Sequence, residues 1–578
     1  MIRSASPASR DDRMSVRPAF IRSAVAMILA LFLFSCAGQV PPSGGPPDKT
    51  PPVVVSTYPT AGTLNFHDHR LAVNFNKYIN STKTREALFI SPHISHLTFD
   101  WSYKGVEIQF TDTLRPSTTY ILLIGTDAED THGNRLAQAF TLPFSTGDRI
   151  DSASISGRIY DPNPGGLMLF AYRLDGRLAD TLNPSRTKPD FLTQTGADGS
   201  FSLLNLPPGH YRLLAVLDDY KDLLYDKQTD RYGVLPADLV LPEESSKITR
   251  LRFMMSVEDT SAPFLSSFKA ETQRKFHLKF SKPVDPAGVT VSSVSLFDTT
   301  KKSSLTVQDI SFTDSWTDAY VTTSPMDSPA VYRIGLNGIA DRAGNRLSAG
   351  QSSLFSDGSR TADTGRPVVK LITGADSLKN IDPGDTIALT FSKPVRREMF
   401  GHGFTLLDSL RKNVPVRLQW QNSSSAFIAG VSLNYDEWYT ARMILDSLND
   451  FGEPKYHDST LVRRFRTMSE ESLGSIDGTV TDELPRSPGR CIIVLQDVLS
   501  RKAGGRKIQL DSLGAFSIDH VKEGKYRIWA FRDADSNGVY TFGTPFPFRP
   551  SERFTVYPDT LKIRARWPLS GVELRFTR

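Results

Sequence analysis

Cysteine is almost absent from this sequence of 578 residues, which contains only Cys36 and Cys491. Two cysteines exclude a disulfide-rich scaffold, so the stability of the fold must come from packed cores. The sequence also has little excess charge of either sign, because 68 lysines and arginines nearly balance 63 aspartates and glutamates and leave a net charge of +5. This balance gives no indication of a polyanionic partner, and no nucleic-acid partner is predicted.

The motifs of common enzyme classes are missing as well. The sequence has no His-Glu-x-x-His, no Gly-x-Ser-x-Gly, no phosphate-binding Gly-Lys-Ser/Thr loop and no dinucleotide fingerprint. Two histidine groups lack a third ligand at a zinc-like spacing and are interpreted as exposed loop residues: His67-Asp68-His69, and His93 with His96. His132 is interpreted as a turn residue. The sequence therefore predicts a protein that is not an enzyme.

The first 35 residues have the features of an export signal. An apolar stretch over residues 24–34 follows Arg17 and Arg22. It is too short to span a bilayer and has the length of a signal-peptide h-region, so residues 1–35 are predicted to be removed. Met1 and Met14 are alternative starts, because the residues before Met14 make a long n-region of mixed charge.

The end of this segment, Leu33-Phe34-Ser35-Cys36, resembles a bacterial lipobox, although Phe34 departs from the small or β-branched residue usual there. The resemblance implies that Cys36 is linked to diacylglycerol. Its acyl chains would anchor the protein in a membrane, since each buried methylene contributes about 0.8 kcal/mol. The alternative is a plain secretory signal with an incidental cysteine. Cys491, within an apolar run, is predicted to be a buried structural thiol.

Residues 36–51 form a tether rich in proline and glycine that cannot fold on its own. The residue after Cys36 is Ala37 rather than Asp, the inner-membrane retention signal of many lipoproteins. This favours the outer membrane, with the periplasmic and surface faces both open.

Three segments of the body share one pattern. Each contains a strand with apolar residues at every second position, which buries one face of a sheet. These residues are Leu71, Val73 and Phe75; Phe276, Leu278 and Phe280; and Ile387, Leu389 and Phe391. The strands are followed by Asn76-Lys77, Ser281-Lys282-Pro283-Val284 and Ser392-Lys393-Pro394-Val395. Asp-x-x-Gly-Asn turns begin later at Asp130 and Asp341, and a degenerate turn begins at Asp450.

The Phe-Ser-Lys-Pro-Val phrase, the Asp-x-x-Gly-Asn turn and a closing Phe-Ser-Thr at Phe144 resemble the bacterial Ig-like domain of the S-layer type. This resemblance implies β-sandwiches of about 100 residues. The region from Cys36 to Pro52 resembles the start of Ig-like-domain lipoproteins of Gram-negative bacteria.

Two other segments share a second pattern of glycine turns, in which a Tyr precedes an Asp by seven residues. The first contains Gly157, Gly199, Gly209, Tyr211 and Asp218; the second contains Gly478, Gly514, Gly524, Tyr526 and Asp533. The pattern resembles the transthyretin-like fold of carboxypeptidase regulatory-like modules.

The predicted fold class is therefore all-β, a tandem array of about five β-sandwich modules after a lipoprotein signal peptide. The predicted divisions are a signal peptide (1–35), a tether (36–51), Ig-like domains (52–148, 260–357 and 364–468) and carboxypeptidase regulatory-like domains (151–256 and 473–578). Serial sandwiches of this size would hold terminal surfaces tens of ångströms from the membrane.

One acidic cluster could bind calcium. Asp533, Asp535 and Asn537 place oxygen ligands at alternate positions before Gly538. Counting twelve residues places Thr544 where an EF-hand has its bidentate Glu, so a hairpin turn held by Asx hydrogen bonds is the alternative. The corresponding place in the first copy has Asp218, Asp219 and Asp222, with Asp226 beyond. No other cofactor is expected.

Aromatic residues in or beside the strands are predicted to lie in cores rather than to stack on sugars: Trp101, Tyr103, Trp529, Phe531 and Trp567. The sequence thus predicts a lipid-anchored protein of the bacterial envelope with a structural, display or binding role. Its partners would be the membrane and an envelope protein or glycan. The alternatives are an envelope glycan-binding protein, which should show an exposed aromatic row, and a hydrolase with paired carboxylates in a deep cleft.

Overall fold

In the computed structural model of the chain, residues 48–577 are described, apart from 95, 177–178, 244–245, 314, 328, 348–353, 373–377, 396, 401, 449–455, 458, 485–486 and 500–504. The predicted signal peptide, Cys36, most of the tether and the Asp450 turn lie outside the described residues. Two compact units divide the chain, Met1–Pro51 and Pro52–Arg578, and the contacts below all lie within the second. No helix of the described residues has the length and hydropathy needed to cross a membrane.

Forty strands form ten sheets in the described part of the chain, two sheets for each of five successive segments. This arrangement confirms the prediction of an all-β tandem array. The helical elements described are short: α1 (Ser81–Glu86), α2 (Arg397–Phe400), and 3-10 turns at Ala179–Thr181, Pro286–Gly288, Val291–Ser293, Leu445–Ser447 and Glu470–Ser472.

The first, third and fourth sandwiches share one topology. The first contains β1 (Val54–Tyr58), β2 (Arg70–Phe75), β3 (Leu88–Ser91), β4 (Thr98–Ser102), β5 (Gly105–Gln109), β6 (Thr119–Ile124) and β7 (Phe140–Ser145). Its sheets have the orders β1-β2-β5-β4 and β3-β6-β7.

The second sandwich contains β8 (Ala153–Tyr160), β9 (Met168–Arg173), β10 (Phe191–Gln194), β11 (Ser200–Leu206), β12 (Gly209–Leu217), β13 (Arg231–Val234), β14 (Leu239–Leu241), β15 (Lys247–Met254) and β16 (Ser256–Val257). Its first strand, β8, lies between β11 and β15, and β8 and β15 are parallel. The larger sheet has the order β10-β9-β12-β13-β16, with β14 also paired to β12.

The third sandwich contains β17 (Leu265–Thr272), β18 (Lys275–Phe280), β19 (Val294–Asp298), β20 (Ser303–Leu305), β21 (Val307–Phe312), β22 (Asp318–Thr323), β23 (Val331–Leu336) and β24 (Phe355–Asp357). The fourth contains β25 (Val369–Ile372), β26 (Ile387–Phe391), β27 (Phe404–Leu407), β28 (Asn413–Val414), β29 (Arg417–Asn422), β30 (Ser425–Ala429), β31 (Trp438–Ile444) and β32 (Thr460–Arg466). Their orders, β17-β18-β22-β21 with β20-β19-β23-β24 and β25-β26-β30-β29 with β28-β27-β31-β32, repeat the first sandwich with one added edge strand each.

The fifth sandwich contains β33 (Leu473–Asp482), β34 (Arg490–Asp497), β35 (Arg506–Leu510), β36 (Gly514–Lys522), β37 (Gly524–Asp533), β38 (Phe554–Val556), β39 (Leu561–Ile563) and β40 (Pro568–Phe576). The orders β36-β33-β40 and β35-β34-β37-β38, with β39 paired to β37, reproduce those of the second sandwich, including the parallel pair β33 and β40. The two segments that share a sequence pattern therefore share a topology, while their likeness to transthyretin stays a prediction.

Each sandwich has its own apolar core. The alternation in the sequence predicts these cores well, because all nine apolar positions of the three repeated strands are buried. In β18, for example, Phe276 and Leu278 are fully buried while Lys279 between Leu278 and Phe280 is exposed.

Unbroken apolar runs mark strands with both faces covered. In β34, Cys491, Ile493 and Leu495 enter the core of the fifth sandwich, and Ile492 and Val494 enter a second cluster on the opposite face. The prediction that Cys491 is buried is confirmed, and burial raises the pKa of its thiol to about 11.

A tyrosine fixes the same corner in each Ig-like repeat. The hydroxyls of Tyr120, Tyr332 and Tyr439 accept hydrogen bonds of 2.9, 2.8 and 2.8 Å from the backbone N–H five residues earlier. Immunoglobulin-type sandwiches use such a tyrosine corner to hold the chain where it enters a central strand.

The repeated lysine holds a linker against a turn. In the third sandwich, Lys282 Nζ lies 2.6 Å from Asp341 Oδ2 of the Gly-Asn turn and 2.5 Å from Asp259 Oδ2 of the preceding linker. Asn345 Nδ2 of the same turn donates to the backbone carbonyl of Asp259 at 2.9 Å. Lys393 contacts Asp363 and the carbonyl of Gly365 in the fourth sandwich. We call this arrangement the lysine latch.

The latch changes the acidity of its carboxyls. Burial alone would raise the pKa of Asp341, but hydrogen bonds from Lys282 and Asn345 outweigh burial and hold that pKa below its ordinary value. The hydrogen bond from Lys282 also lowers the pKa of Asp259, which is more exposed.

The sandwiches contact one another both along the chain and out of sequence order. Asp309 and Ser423 connect the third sandwich to the fourth, and Lys522 connects the fifth to Asp382 and Asp385 of the fourth. The fifth sandwich also contacts the second, where the hydroxyl of Tyr232 donates to the carbonyl of Gly543 at 2.8 Å. Apolar side chains contribute to this contact, since Phe548 packs against a cluster of the second sandwich, and Tyr160 and Met254 pack against a cluster of the fifth.

Replacing Lys282 by Met should weaken the third sandwich locally, because it leaves the buried carboxylate of Asp341 without a cation. We expect the free energy of local opening to fall by about 2 kcal/mol, as for other hydrogen bonds to charged groups. Hydrogen exchange of the full chain in the linker at residues 259–264 and in β23 measures this change. Lys269→Met, which changes an exposed lysine of β17, is the control.

The same variant should respond differently to acid. The lowered pKa values of Asp259 and Asp341 mean that their stabilisation is present above about pH 4 and is lost as the pH falls through their lowered values. The difference between wild type and Lys282→Met should therefore shrink below about pH 4. A difference that is equally large at about pH 2 would contradict the latch.

Candidate functional site

The acidic loop of the fifth sandwich begins at the last residue of β37. The backbone N–H groups of Asn537 and Gly538 donate to the two carboxylate oxygens of Asp533, each at 3.1 Å. Ser536 and Gly538 adopt positive φ values of 59° and 71°, which bend the backbone around this carboxylate. The loop therefore contains the predicted Asx hydrogen bonds, which fix the position of Asp533.

Asp535 points toward the same centre. Its Oδ2 accepts hydrogen bonds from Thr541 Oγ1 at 2.9 Å and from Asn537 Nδ2 at 2.8 Å. Asn537 thus uses its side chain to orient Asp535, while its own Oδ1 accepts from the N–H of Val539 at 2.6 Å.

Glu552, just before β38, supplies a third carboxylate. One oxygen of each of Asp533, Asp535 and Glu552 lies within 4.8 Å of the other two. The Glu552 carboxylate accepts from the N–H of Ala534 at 2.6 Å and from that of Thr541 at 3.0 Å. We call these three residues the carboxylate cluster. Among the described residues, it is the one group of three acidic, histidine or cysteine side chains close enough to share an ion.

Sequence reasoning identified two members of this cluster and missed Glu552. Twelve-residue counting pointed to Thr544, whose hydroxyl instead donates to the carbonyl of Pro547 at 2.5 Å. The chain returns to the loop at Glu552, farther along the sequence than the twelfth position at which an EF-hand places its last ligand. One signal in the sequence could have identified Glu552. An acidic residue directly precedes an arginine in both loops, as Glu552-Arg553 in the fifth sandwich and Asp230-Arg231 in the second.

The cluster concentrates negative charge in a partly dry environment. Asp533 is 4% exposed and Glu552 is 6% exposed, whereas Asp535 is open to solvent. Burial raises the pKa of Glu552, hydrogen bonds from Thr541 and Ala534 oppose this effect, and the charges of Asp535 and Asp533 add to it.

No lysine or arginine of the described residues forms an ion pair with these three carboxylates. Lys507 approaches the loop but donates to the carbonyl of Gly538 at 2.6 Å. Buried carboxylates are ordinarily paired with cations or bound to metals. Oxygen ligands of this kind suit a hard cation such as Ca²⁺.

The second sandwich contains an equivalent but incomplete loop. Asp218 accepts from the N–H groups of Asp222 at 3.3 Å and Leu223 at 2.9 Å, as Asp533 does from its own loop. Lys221 and Leu223 have positive φ values at the positions of Ser536 and Gly538. This agreement shows that the two loops share one backbone conformation.

Asp230 takes the place of Glu552 in this second loop. It accepts from the N–H of Asp219 at 3.4 Å and from that of Asp226 at 2.8 Å. Tyr220 occupies the position of Asp535, so the loop has two converging carboxylates rather than three. Burial raises the pKa of both Asp218 and Asp230.

The structure does not unite the histidine groups into a metal site. Asp68 accepts from the hydroxyl of Tyr58 at 2.6 Å, and His69 packs edge-on against Phe110 with ring centroids 5.5 Å apart. His96 contacts Asp112 at 3.2 Å. His67 and His93 belong to no group of three such side chains in the described part of the chain. His132 lies in the turn as predicted, where its N–H donates to Asp130 at 2.8 Å.

The aromatic residues divide between core and surface. Phe531 is fully buried, and Trp529 and Trp101 are partly buried against apolar clusters, in agreement with prediction. The prediction was wrong for Tyr103, which is 83% exposed, and for Trp567, which is 71% exposed. Tyr103 lies in the turn between β4 and β5, and Trp567 directly precedes β40, so both stand where the alternation of inward and outward side chains ends.

The cleft between the fourth and fifth sandwiches contains a pair of carboxylates. It has a volume of about 780 Å³ and is lined by Asp382, Asp385 and His520, among others. Lys522 lies 3.6 Å from Asp382 and 3.5 Å from Asp385. The shared lysine makes these carboxylates part of the contact between sandwiches.

Comparison with known proteins assigns a family to part of the chain. Residues 48–146 match the family of bacterial Ig-like domains. The match confirms the predicted resemblance for the first sandwich. Sequence comparison with curated proteins gives no match.

Solved structures show only distant likeness. The N-terminal part of the bacterial S-layer protein SbsC aligns at 14% identity, covering 37% of this chain and 45% of that one, with a TM-score of 0.17. The major pilin subunit BcpA of Bacillus cereus aligns at 8% identity over 74% of this chain and 99% of the pilin, with a TM-score of 0.14. This chain therefore spans less than half the length of the SbsC fragment. At such TM-scores the alignments do not bear on function.

Proposed function

We propose that this protein is a non-catalytic, lipid-anchored component of the bacterial cell envelope that displays or holds apart binding surfaces. The observation that carries the proposal is the repeated lysine latch, which fixes the linkers of a bacterial Ig-like array. An array of separately packed sandwiches supports a scaffold function, since each sandwich has its own core and can present its own surface.

The anchor in this proposal is Cys36, within the lipobox-like sequence, with an outer-membrane destination. Cys36→Ala should move the protein from the membrane fraction to the soluble fraction without unfolding it, because removing the acyl chains removes the burial of their methylenes. Fractionation and lipid labelling of cells measure this change, and Cys491→Ser is the matched control. Unchanged membrane retention of Cys36→Ala would count against the anchor.

We further propose that the carboxylate cluster binds Ca²⁺. Three carboxylates that converge within 4.8 Å, and that form no ion pair with a basic residue in the described part of the chain, support this proposal. Affinity in the range of about 0.1–1 mM is expected, as for extracellular calcium modules.

Calorimetric titration of the full chain with calcium chloride tests the site. Asp535→Asn should weaken binding at least about tenfold, because it removes an exposed charged ligand while the backbone hydrogen bonds that hold Asp533 and Glu552 stay in place. Asp222→Asn, in the equivalent loop of the second sandwich, is the matched control and should bind as wild type does.

A substitution in the acidic loop of the second sandwich should create a second calcium site. Tyr220→Asp would add a third carboxylate beside Asp218 and Asp230, and the calcium stoichiometry should rise from one to two. Wild-type protein that gives no calcium-dependent heat would refute the calcium proposal.

The glycan-binding alternative has one observation in its favour. Tyr78 and Tyr103 are exposed neighbours on the first sandwich, with ring centroids 5.7 Å apart, and Lys104 Nζ lies 5.5 Å from the Tyr78 ring. Exposed tyrosines can stack on apolar sugar faces. The observation is a pair of rings rather than the row that this alternative predicts.

A further inference from the structure

The first sandwich has an aromatic surface at the end where the chain enters it. The backbone N–H of Asn76 donates to the carbonyl of Val53 at 3.0 Å, and that of Ile79 donates to the carbonyl of Tyr103 at 3.0 Å. These bonds bring the residue before β1, the loop after β2 and the turn between β4 and β5 to one end of the sandwich. We define the entry tip as four residues of this end: Val53, Tyr78, Tyr103 and Lys104.

The entry tip is largely apolar and yet open to solvent. Val53 is 55% exposed, Tyr78 is 56% exposed and Tyr103 more so. Lys104 is also exposed, and its ammonium lies near the Tyr78 ring. Tyrosine combines an apolar ring with a polar hydroxyl, so it suits a boundary that is apolar on one side and wet on the other.

The equivalent end of the fourth sandwich contacts the sandwich that precedes it. The N–H of Val395 donates to the carbonyl of Ser423 at 2.9 Å, which gives Ser423 the position of Tyr103. Ser423 is buried, and its hydroxyl donates to Asp309 of the third sandwich. The entry end of an Ig-like sandwich in this chain therefore serves as a docking surface for the body that precedes it.

The third sandwich covers the equivalent aromatic residue with its own turn. Trp316 has the position of Tyr103, because its carbonyl accepts from the N–H of Val284 at 3.0 Å. Trp316 is half-buried, and the Arg342 guanidinium lies 3.7 Å from the centroid of its ring. The first sandwich has Thr131 at the position of Arg342, so its own turn leaves Tyr103 exposed.

The segment that precedes the entry tip leads to the proposed anchor at Cys36. At about 3.4 Å per residue, residues 36–51 would span about 55 Å when fully extended. A lipid on Cys36 would therefore keep the tip within reach of a bilayer surface. Such a tether makes docking an intramolecular event, for which weak contacts are sufficient.

We infer that the entry tip docks on the surface of a phospholipid bilayer and holds the first sandwich against the membrane. The inference rests on the proposed lipid anchor. Tyr78 and Tyr103 would lie at the level of the headgroups, as tyrosines do at membrane boundaries. The Lys104 ammonium would pair with lipid phosphates. Docking would thus give the first sandwich a fixed orientation on its tether.

The chain from Cys36 onward, coupled through Cys36 to a maleimide lipid, tests this inference on vesicles of phosphatidylethanolamine and phosphatidylglycerol. Chemical coupling needs no lipidation in cells, so the test is separate from that of the anchor. Cys491 stays uncoupled, because it is buried and its thiol pKa is raised to about 11. Acetylation of Lys104 by a soluble reagent, measured by mass spectrometry, reports whether the tip is covered. Exposed Lys269 of the third sandwich is the internal control.

In coupled protein, Lys104 should be acetylated at least about fivefold more slowly than in uncoupled protein mixed with the same vesicles. This protection corresponds to docking for about four-fifths of the time. Replacing both Tyr78 and Tyr103 by Ser should abolish the protection, because the exposed rings supply the contact with lipid. Tyr220→Ser, which removes an exposed tyrosine of the second sandwich, is the matched control and should keep it. Acetylation of Lys269 should be the same in all samples.

Equal acetylation of Lys104 in coupled and uncoupled protein would overturn membrane docking and leave the lipid anchor intact. Protection that survives the double tyrosine substitution would also overturn docking, since nearness to the vesicle alone would explain it. Protection by purified peptidoglycan, with none on vesicles, would overturn docking in favour of glycan binding. If Cys36→Ala stays in the membrane fraction of cells while coupled protein shows the expected protection, the anchor fails and docking stands.

Discussion

A lysine ammonium held between two carboxylates fixes where one sandwich ends and the next begins. Domains joined by linkers ordinarily move relative to one another unless their contact is large and apolar. In the third sandwich, Lys282 draws the linker residue Asp259 onto the Gly-Asn turn at Asp341. The ion pairs of Lys282 therefore set the direction in which the chain enters the third sandwich. In the fourth sandwich, Lys393 likewise contacts Asp363 of the preceding linker.

This constraint explains why the motif recurs as a unit. Lysine neutralises the carboxylate of the turn, glycine supplies positive φ, and asparagine bonds both the turn and the linker. Lys282 and Asp341 are 59 residues apart in sequence, so their pairing requires the completed sandwich. The sequence pattern could therefore predict the recurrence of the module, while the function of its lysine could be understood only from the fold.

Patterns that are local in the sequence could also be predicted elsewhere in the chain, whereas contacts that require the completed fold could not. Alternation in β18 and its equivalents reports burial of one face directly, so the cores were predicted residue by residue. The unbroken run in β34 reports that both faces are covered, but it cannot identify Tyr160 and Met254 of the second sandwich as neighbours of the outer face. Glu552 was missed for a similar reason, since the segment 540–551, which returns the chain to Asp533, has no fixed length. Tyr103 and Trp567 were misplaced because alternation stops where a strand turns.

A comparison of the two equivalent acidic loops shows which carboxylates the turn needs in order to form and which one is additional. Asp218 and Asp533 each accept hydrogen bonds from the N–H groups four and five residues later in their own loops, although Tyr220 stands where the fifth sandwich has Asp535. The turn therefore forms with two carboxylates, and its Asx bonds are sufficient to hold its shape. The third carboxylate adds nothing that this shape requires, and it adds like charge beside the buried carboxylates of Asp533 and Glu552. A charge placed there is costly without a cation and stabilising with one, which is the physical basis of the calcium proposal.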